Sequence, residues 1–204
     1  MEKIRVTNIN LSGEPAKFTD SIKLVIEFDA LAIPKFPLEW KFIYVGSVES
    51  SEYDQVLEQL TILVEQVGKL SFEVNVPPPI WKKIPTLDDL LSPSAFMVSA
   101  LYLEQEFFRA SYYVNNIYTL VTDEIITENN FGIQFVERSI NSKDPRIGLA
   151  DIDWNDEIRE TCSKFAKVSQ PEKGQLYEKQ TEDQFDKIAN PFSISENSFL
   201  GNRY

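Results

Sequence analysis

The chain has 204 residues and a mass of 23.5 kDa, with 20 Lys and Arg against 32 Asp and Glu, a net charge of −12 and a pI near 4.5. It contains no histidine and one cysteine, Cys162, which excludes Ser-His-Asp and His-Cys catalysis, His-containing or Cys-only zinc sites, and an internal disulfide. The acidic balance disfavours direct binding to nucleic-acid backbones and favours a basic partner, while 43% hydrophobic residues supply one sizeable core.

The first fifteen residues, MEKIRVTNINLSGEP, alternate polar and apolar side chains and lack the apolar run of a signal peptide. Period-two alternation then predicts strands over Lys3–Leu11, Ser21–Asp29, Leu38–Tyr44, Gln55–Leu63 and Lys69–Val76, and again over Ala95–Leu103, Glu106–Tyr118 and Arg146–Trp154. Turn signals separate them at Ser12-Gly13-Glu14-Pro15, Pro34 to Pro37, Val67-Gly68 and Pro77-Pro78-Pro79. One apolar face per strand and many short strands predict an all-β fold, a β-sandwich of two antiparallel sheets. Short helical segments are expected in loops, one turn at Thr86–Leu91 and two turns over Ile133–Ile140. After Trp154 the alternation stops and Lys, Glu, Gln and Ser dominate. Residues 1–155 are therefore expected to be the folded domain and 156–204 a polar, disordered tail with a transient helix near Gln175–Ala189. No stretch of 18 apolar residues occurs, so no membrane span is expected, and the chain is placed in the cytosol or nucleus.

Catalytic and metal motifs are missing. The carboxylate pairs Asp88-Asp89, Asp123-Glu124 and Asp151/Asp153 carry no spacing that marks a glycosidase or a calcium loop, and the seven glycines form no phosphate cradle. The expectation is a binding protein, not an enzyme, without metal or cofactor. Two segments stand out. Val45–Glu58 (VGSVESSEYDQVLE) interleaves Glu49, Glu52, Asp54 and Glu58 with Val45, Val48, Tyr53, Val56 and Leu57. It is either a solvated acidic loop or an amphipathic surface for a basic, partly apolar helix. Gln105–Tyr118 (QEFFRASYYVNNIY) sets Arg109 among aromatics, with Phe107, Arg109, Ser111 and Tyr113 predicted on one face and Phe108, Ala110, Tyr112 and Val114 on the other. Arg109 is either a paired core charge or an interface anchor.

Together, LEWKFIYVGSVESSEYDQVLE (Leu38–Glu58) and QEFFRASYYVNNIY resemble the anti-silencing-function family of histone chaperones. The resemblance continues through Asp144-Pro145-Arg146 to Trp154 and covers about residues 1–155. It implies an immunoglobulin-like sandwich, packed without the antibody disulfide, that binds one dimer of histones H3 and H4 and blocks H3–H4 tetramer formation. The matching H3 residues are Val45, Val48, Glu49, Asp54, Asp88, Ala95, Met97, Arg109 and Tyr113, with Ala95 and Met97 placed after a one-residue insertion. The H4 C-terminal segment would add as a strand near Val6, Pro145 and Arg146, with Gly148 where the family has a hydroxyl side chain. Larger histone chaperone complexes would dock through a groove at Phe36, Pro37, Leu60 and Ile62. Phe36-Pro37 replaces the family's acidic pair, so basic peptides are expected to bind weakly there. The resemblance also implies a protein of the nucleus with some cytoplasmic pool, monomeric when free. Ser193–Ser198 is similar to serine-rich family tails that are phosphorylated. A sandwich adaptor for a non-histone basic helix and an acidic-site hydrolase are the other classes weighed.

Overall fold

A computed structural model describes residues 1–120, 126–127, 130–155 and 177–178. Its strands are β1 (Ile4–Ser12), β2 (Ala16–Lys17), β3 (Ile22–Ala30), β4 (Leu38–Tyr44), β5 (Gln55–Ile62), β6 (Gly68–Val76), β7 (Ser94–Tyr102), β8 (Gln105–Tyr118), β9 (Val136–Ile140), β10 (Arg146–Leu149) and β11 (Tyr177–Glu178). One short helix, α1 (Leu87–Leu91), lies between β6 and β7. The four-stranded sheet runs β1-β3-β6-β11. The other sheet runs β2-β9-β8-β7-β4-β5, with β10 paired to β8, and every strand pairing is antiparallel. The expected sandwich is thus present. Strands β1-β3-β6 opposite β5-β4-β7-β8 reproduce the A-B-E against C′-C-F-G order of immunoglobulin domains.

Alternation dictates which side chains meet between the sheets. Ile22, Leu24, Ile26 and Phe28 of β3 and Leu70, Phe72, Val74 and Val76 of β6 face Leu38, Trp40, Phe42 and Tyr44 of β4, all of them buried. Trp40 lies across the ring of Phe72 with centroids 5.2 Å apart, and Phe18 meets Tyr44 edge-on at 6.0 Å. The β7–β8 connection is a two-residue turn in which Leu103 and Glu104 both take positive φ, 49° and 62°. That geometry matches the twist of the flanking strands, and Leu103 offsets its cost by packing on the core.

Three expectations are corrected. Ile133–Ile140 is not a two-turn helix: only Ile133–Phe135 form a 3-10 turn, and Val136–Ile140 are β9, paired to Val114–Tyr118. Burial alternates along VERSI, so Val136, Arg138 and Ile140 point inward, which a helix could not achieve. The strand from Arg146 ends at Leu149 and not at Trp154, because backbone pairing with β8 gives way to a side chain. The N–H of Ala150 still donates to Phe107 O of β8 (3.1 Å), but at Asp153 both backbone groups bond the Gln105 side chain instead of the β8 backbone. Trp154 then covers Tyr102 and Phe107, with ring centroids 5.3 and 5.1 Å away, and joins the core. Finally, within the expected tail, Tyr177–Glu178 form a strand and no helix. The rest of Gln175–Ala189, the Ser193–Ser198 string and Asp123-Glu124 lie outside the described residues.

The buried ion pair is the least expected feature. Arg138 is 0% exposed, and its Nε and Nη2 donate to Glu14 Oε1 at 3.1 and 2.8 Å, while Nη1 donates to Asp20 O at 2.9 Å. It fastens the segment between β1 and β3 to β9.

Candidate functional site

Strand pairing lines up the outward residues of the larger sheet in rows. Ile43 stands opposite Met97, Met97 opposite Ser111, and Ser111 opposite Arg146, with Val56 on the far flank of Ile43. In the next row Ala95 faces Tyr113, and the N–H of Val45 donates to Ala95 O at 2.9 Å. On the other side Lys41, Ser99, Arg109 and Gly148 form a third row. Five of the nine H3 candidates, Val45, Ala95, Met97, Arg109 and Tyr113, therefore share one sheet face. The register in which Ala95 and Met97 are the outward residues of β7 is the one observed. Tyr113 is 50% exposed, and the Arg146 guanidinium lies 5.6 Å from its ring centroid, joining an H3 candidate to an H4 candidate.

Carboxylates rim one end of this face. The β4–β5 loop exposes Val48 (73%) and Glu49, and Ser50 caps a 3-10 turn at Ser51–Tyr53 by accepting from the Glu52 N–H. Asp54 closes that turn, its N–H donating to Ser51 O at 3.1 Å. Its Oδ1 is buried without a hydrogen-bond partner, and desolvation pushes the carboxyl above its usual range. Gly46 is required by close approach, since a Cβ there would lie 2.3 Å from Tyr53 O. Asp88 is exposed in the first turn of α1. Its neighbour Asp89 is held below the usual carboxylate range by hydrogen bonds from the Thr86 and Ser47 hydroxyls, which also ties the helix to the loop. Asn116 Nδ2 anchors the helix from beneath, donating to Leu90 O and to the Tyr44 hydroxyl, each at 2.8 Å. The result is an apolar strip bounded by Glu49, Asp54 and Asp88.

The structure excludes one of the two readings of Arg109. Its side chain is 50% exposed and pairs with Glu106 at 2.8 Å on the surface, so it is no core charge. Phe107 departs from the predicted face. A register shift opposite Ala100/Leu101 interrupts the alternation and Trp154 covers the ring, so Phe107 is buried. Of the H4 candidates, Val6 lies on the edge strand β1 beside a bulge, while Pro145 and Arg146 open the exposed edge strand β10 on the other sheet. A Cβ at Gly148 would meet Arg109 atoms only at 3.9–4.0 Å, so the glycine is not sterically demanded. The groove expectation is corrected for Ile62. It pairs with Leu38 on the inward face and is 6% exposed; Leu60, Phe36 and Pro37 are half-buried. Sequence reasoning passed over Ile43 as a face residue, and Ile147 and Leu149 as exposed apolar groups on β10, whereas Val56, named in the amphipathic segment, flanks Ile43. The β4 alternation, read for its minor positions, would have found Ile43.

An antiparallel sandwich with an apolar sheet face, a carboxylate rim and a free strand edge is a scaffold for binding protein. Among the described residues no group of three or more His, Cys, Asp or Glu is placed to hold a metal. The chain belongs to the ASF1-like histone chaperone family, whose profile matches residues 1–155. It is 34% identical over 178 residues to the "Probable histone chaperone ASF1A" of Arabidopsis thaliana, covering 86% of this chain and 89% of the relative. It is also 34% identical over 160 residues to "Histone chaperone cia1" of Schizosaccharomyces pombe (76% of this chain, 61% of the relative). The same identity over 160 residues holds for "Histone chaperone ASF1" of Saccharomyces cerevisiae (77% and 56%). The chain thus spans less than two thirds of the two yeast proteins.

Proposed function

We propose that this protein is a histone chaperone without enzymatic activity or cofactor, which holds one H3–H4 dimer, blocks H3–H4 tetramer formation and passes histones during nucleosome assembly and disassembly. The observation that carries this reading is the convergence of Val45, Ala95, Met97, Arg109 and Tyr113 on one sheet face with Glu49, Asp54 and Asp88 at its rim. A histone helix buries its apolar side on the strip while its Lys and Arg meet the carboxylates. The H4 segment adds to β10, whose outer edge carries no strand among the described residues, next to Pro145, while Val6 offers a second edge on β1. Histone binding places the protein in the nucleus with some cytoplasmic pool, monomeric when free and without direct nucleic-acid contact. The decisive experiment titrates the chain into H3–H4 and follows complex mass. A complex of one chain with one H3 and one H4 is expected, and persistence of the tetramer overturns the proposal. The second reading, an adaptor for a non-histone basic helix, rests on the same acidic rim and is separated by a pull-down of H3–H4 at moderate salt.

Support for a folded domain over residues 1–155 is that Trp154 still belongs to the core. A chain ending at residue 155 is expected to fold and to bind H3–H4 within tenfold (about 1.4 kcal/mol) of the full chain. Unfolding by circular dichroism, or a larger loss by calorimetry, would refute the division.

The groove for larger chaperone complexes is proposed at Phe36, Pro37 and Leu60, with Ile62 beneath. Phe36 packs on the core and the Lys35 Nζ sits 5.7 Å from its ring centroid, so this site offers an incoming Lys or Arg a cation where the family has two anions. Phe36→Glu/Pro37→Asp is expected to tighten binding of a basic family-type peptide by roughly three- to tenfold, the range for two rim ion pairs. Equal affinity of the double variant and the parent chain, measured by fluorescence anisotropy, counts against it.

A further inference from the structure

β6 has neighbours of two origins. On one side β3 pairs with it from Ile22↔Val76 to Ala30↔Gly68. On the other, Tyr177↔Ser71 and Glu178↔Leu70 pair antiparallel, contributed by a part of the chain beyond the family match at 1–155. Without that pairing β6 would be the edge of its sheet, presenting a row of unpaired N–H and C=O groups. Its side chains suit an added strand, with Leu70, Phe72 and Val74 buried on one face and Lys69, Glu73 and Asn75 exposed on the other.

We propose that the outer edge of β6 is a strand-docking site whose resident occupant is the protein's own C-terminal segment at Tyr177–Glu178. A strand-forming segment of another protein can then take this edge only by displacing that segment. Backbone pairing supplies the attraction and asks little of the side chains. The connection permits it. Trp154 packs on Tyr102, Tyr102 stands opposite Leu38, and Leu38 stands opposite Ile62, one short loop before β6 begins. The roughly twenty residues between Trp154 and Tyr177 can span on the order of 60 Å when extended, far more than this path needs. Attachment to the same chain makes the encounter intramolecular, so a two-residue pairing too weak to join separate molecules is populated. β6 is also at the opposite side of its sheet from β1 and on the other sheet from β10, so docking leaves the proposed histone surfaces open.

The test is register-specific crosslinking in the full chain, with Cys162→Ser as background. Ser71→Cys/Tyr177→Cys is expected to form an intramolecular disulfide under mild oxidation at least tenfold faster than Asn75→Cys/Tyr177→Cys. That advantage should vanish when Glu178→Pro removes a backbone donor, with H3–H4 binding unchanged. Equal rates at positions 71 and 75, an advantage that survives Glu178→Pro, or crosslinks only between chains would overturn the proposal. Mass spectrometry of the digested, unreduced chain reads all of these outcomes, and an unaltered circular dichroism spectrum confirms that the near-isosteric Ser71→Cys leaves the sandwich intact.

Discussion

Reversing the charge at Asp54 or Arg109 should abolish binding of H3–H4 while leaving the sandwich folded. Arg109 contributes little to the fold, because an exposed pair such as that with Glu106 is worth about 0–1 kcal/mol. Asp54 contributes less than nothing in the free chain. Its Oδ1 lacks a partner, and burial raises its pKa above the ordinary carboxylate value, so the charged form opposes folding at neutral pH. A group with that sign costs stability above its folded pKa and ceases to do so as pH falls through it and the carboxyl is protonated. Asp54→Ala is therefore expected to melt at the same or a higher temperature than the parent, yet to weaken the histone complex by about 2–5 kcal/mol, as does truncation of a charge buried with its partner. Asp54→Arg and Arg109→Glu should be worse than truncation, since each sets like charges against each other. Binding by calorimetry and melting by circular dichroism, read on the same samples, separate the two effects. Normal binding by folded Arg109→Glu would remove Arg109 from the site, and a fall in melting temperature for Asp54→Ala would show that its carboxylate serves the fold.

The largest effect on stability is expected at Arg138. Arg138→Met leaves Glu14 buried without its cation and the Asp20 carbonyl without its donor, and breaking one side of a buried pair costs about 3–5 kcal/mol. Glu14 Oε2 has no hydrogen-bond partner as it is, so the orphaned carboxylate would be poorly compensated. Removing both charges in Glu14→Leu/Arg138→Met should recover much of the loss but not all of it, because the backbone carbonyl stays unpaired. Urea denaturation of the three chains gives the comparison. A loss below about 1 kcal/mol for the single variant, or no recovery in the double, would mean that the pair does not hold the β1–β3 connection to β9.

Most strands were legible because alternation is a local property. Side chains on a pleated chain point to opposite faces every second residue, so Ser21–Asp29 and Leu38–Tyr44 declared themselves before any partner was known. The same rule placed Arg109 and Tyr113 on the face opposite Ala110 and Tyr112, and the turn expected at Thr86–Leu91 is α1, where the structure shows Thr86 capping by accepting from the Asp89 N–H. It failed at VERSI, where five residues fit either period, and at Phe107, where a register shift that depends on β7 breaks the alternation.

Composition and local pattern alone determined an acidic, histidine-free chain of alternating strands with one apolar face each, which pair as a sandwich. Only the tertiary structure decided which charges are buried, because desolvation depends on what the rest of the chain places around them. Arg109, amid aromatics, proved to be half exposed. Arg138, in an unremarkable polar string, is sealed against a glutamate 124 residues away. Sequence shows a side chain's face, but the dielectric around it and the partner across from it are set by contacts between distant segments.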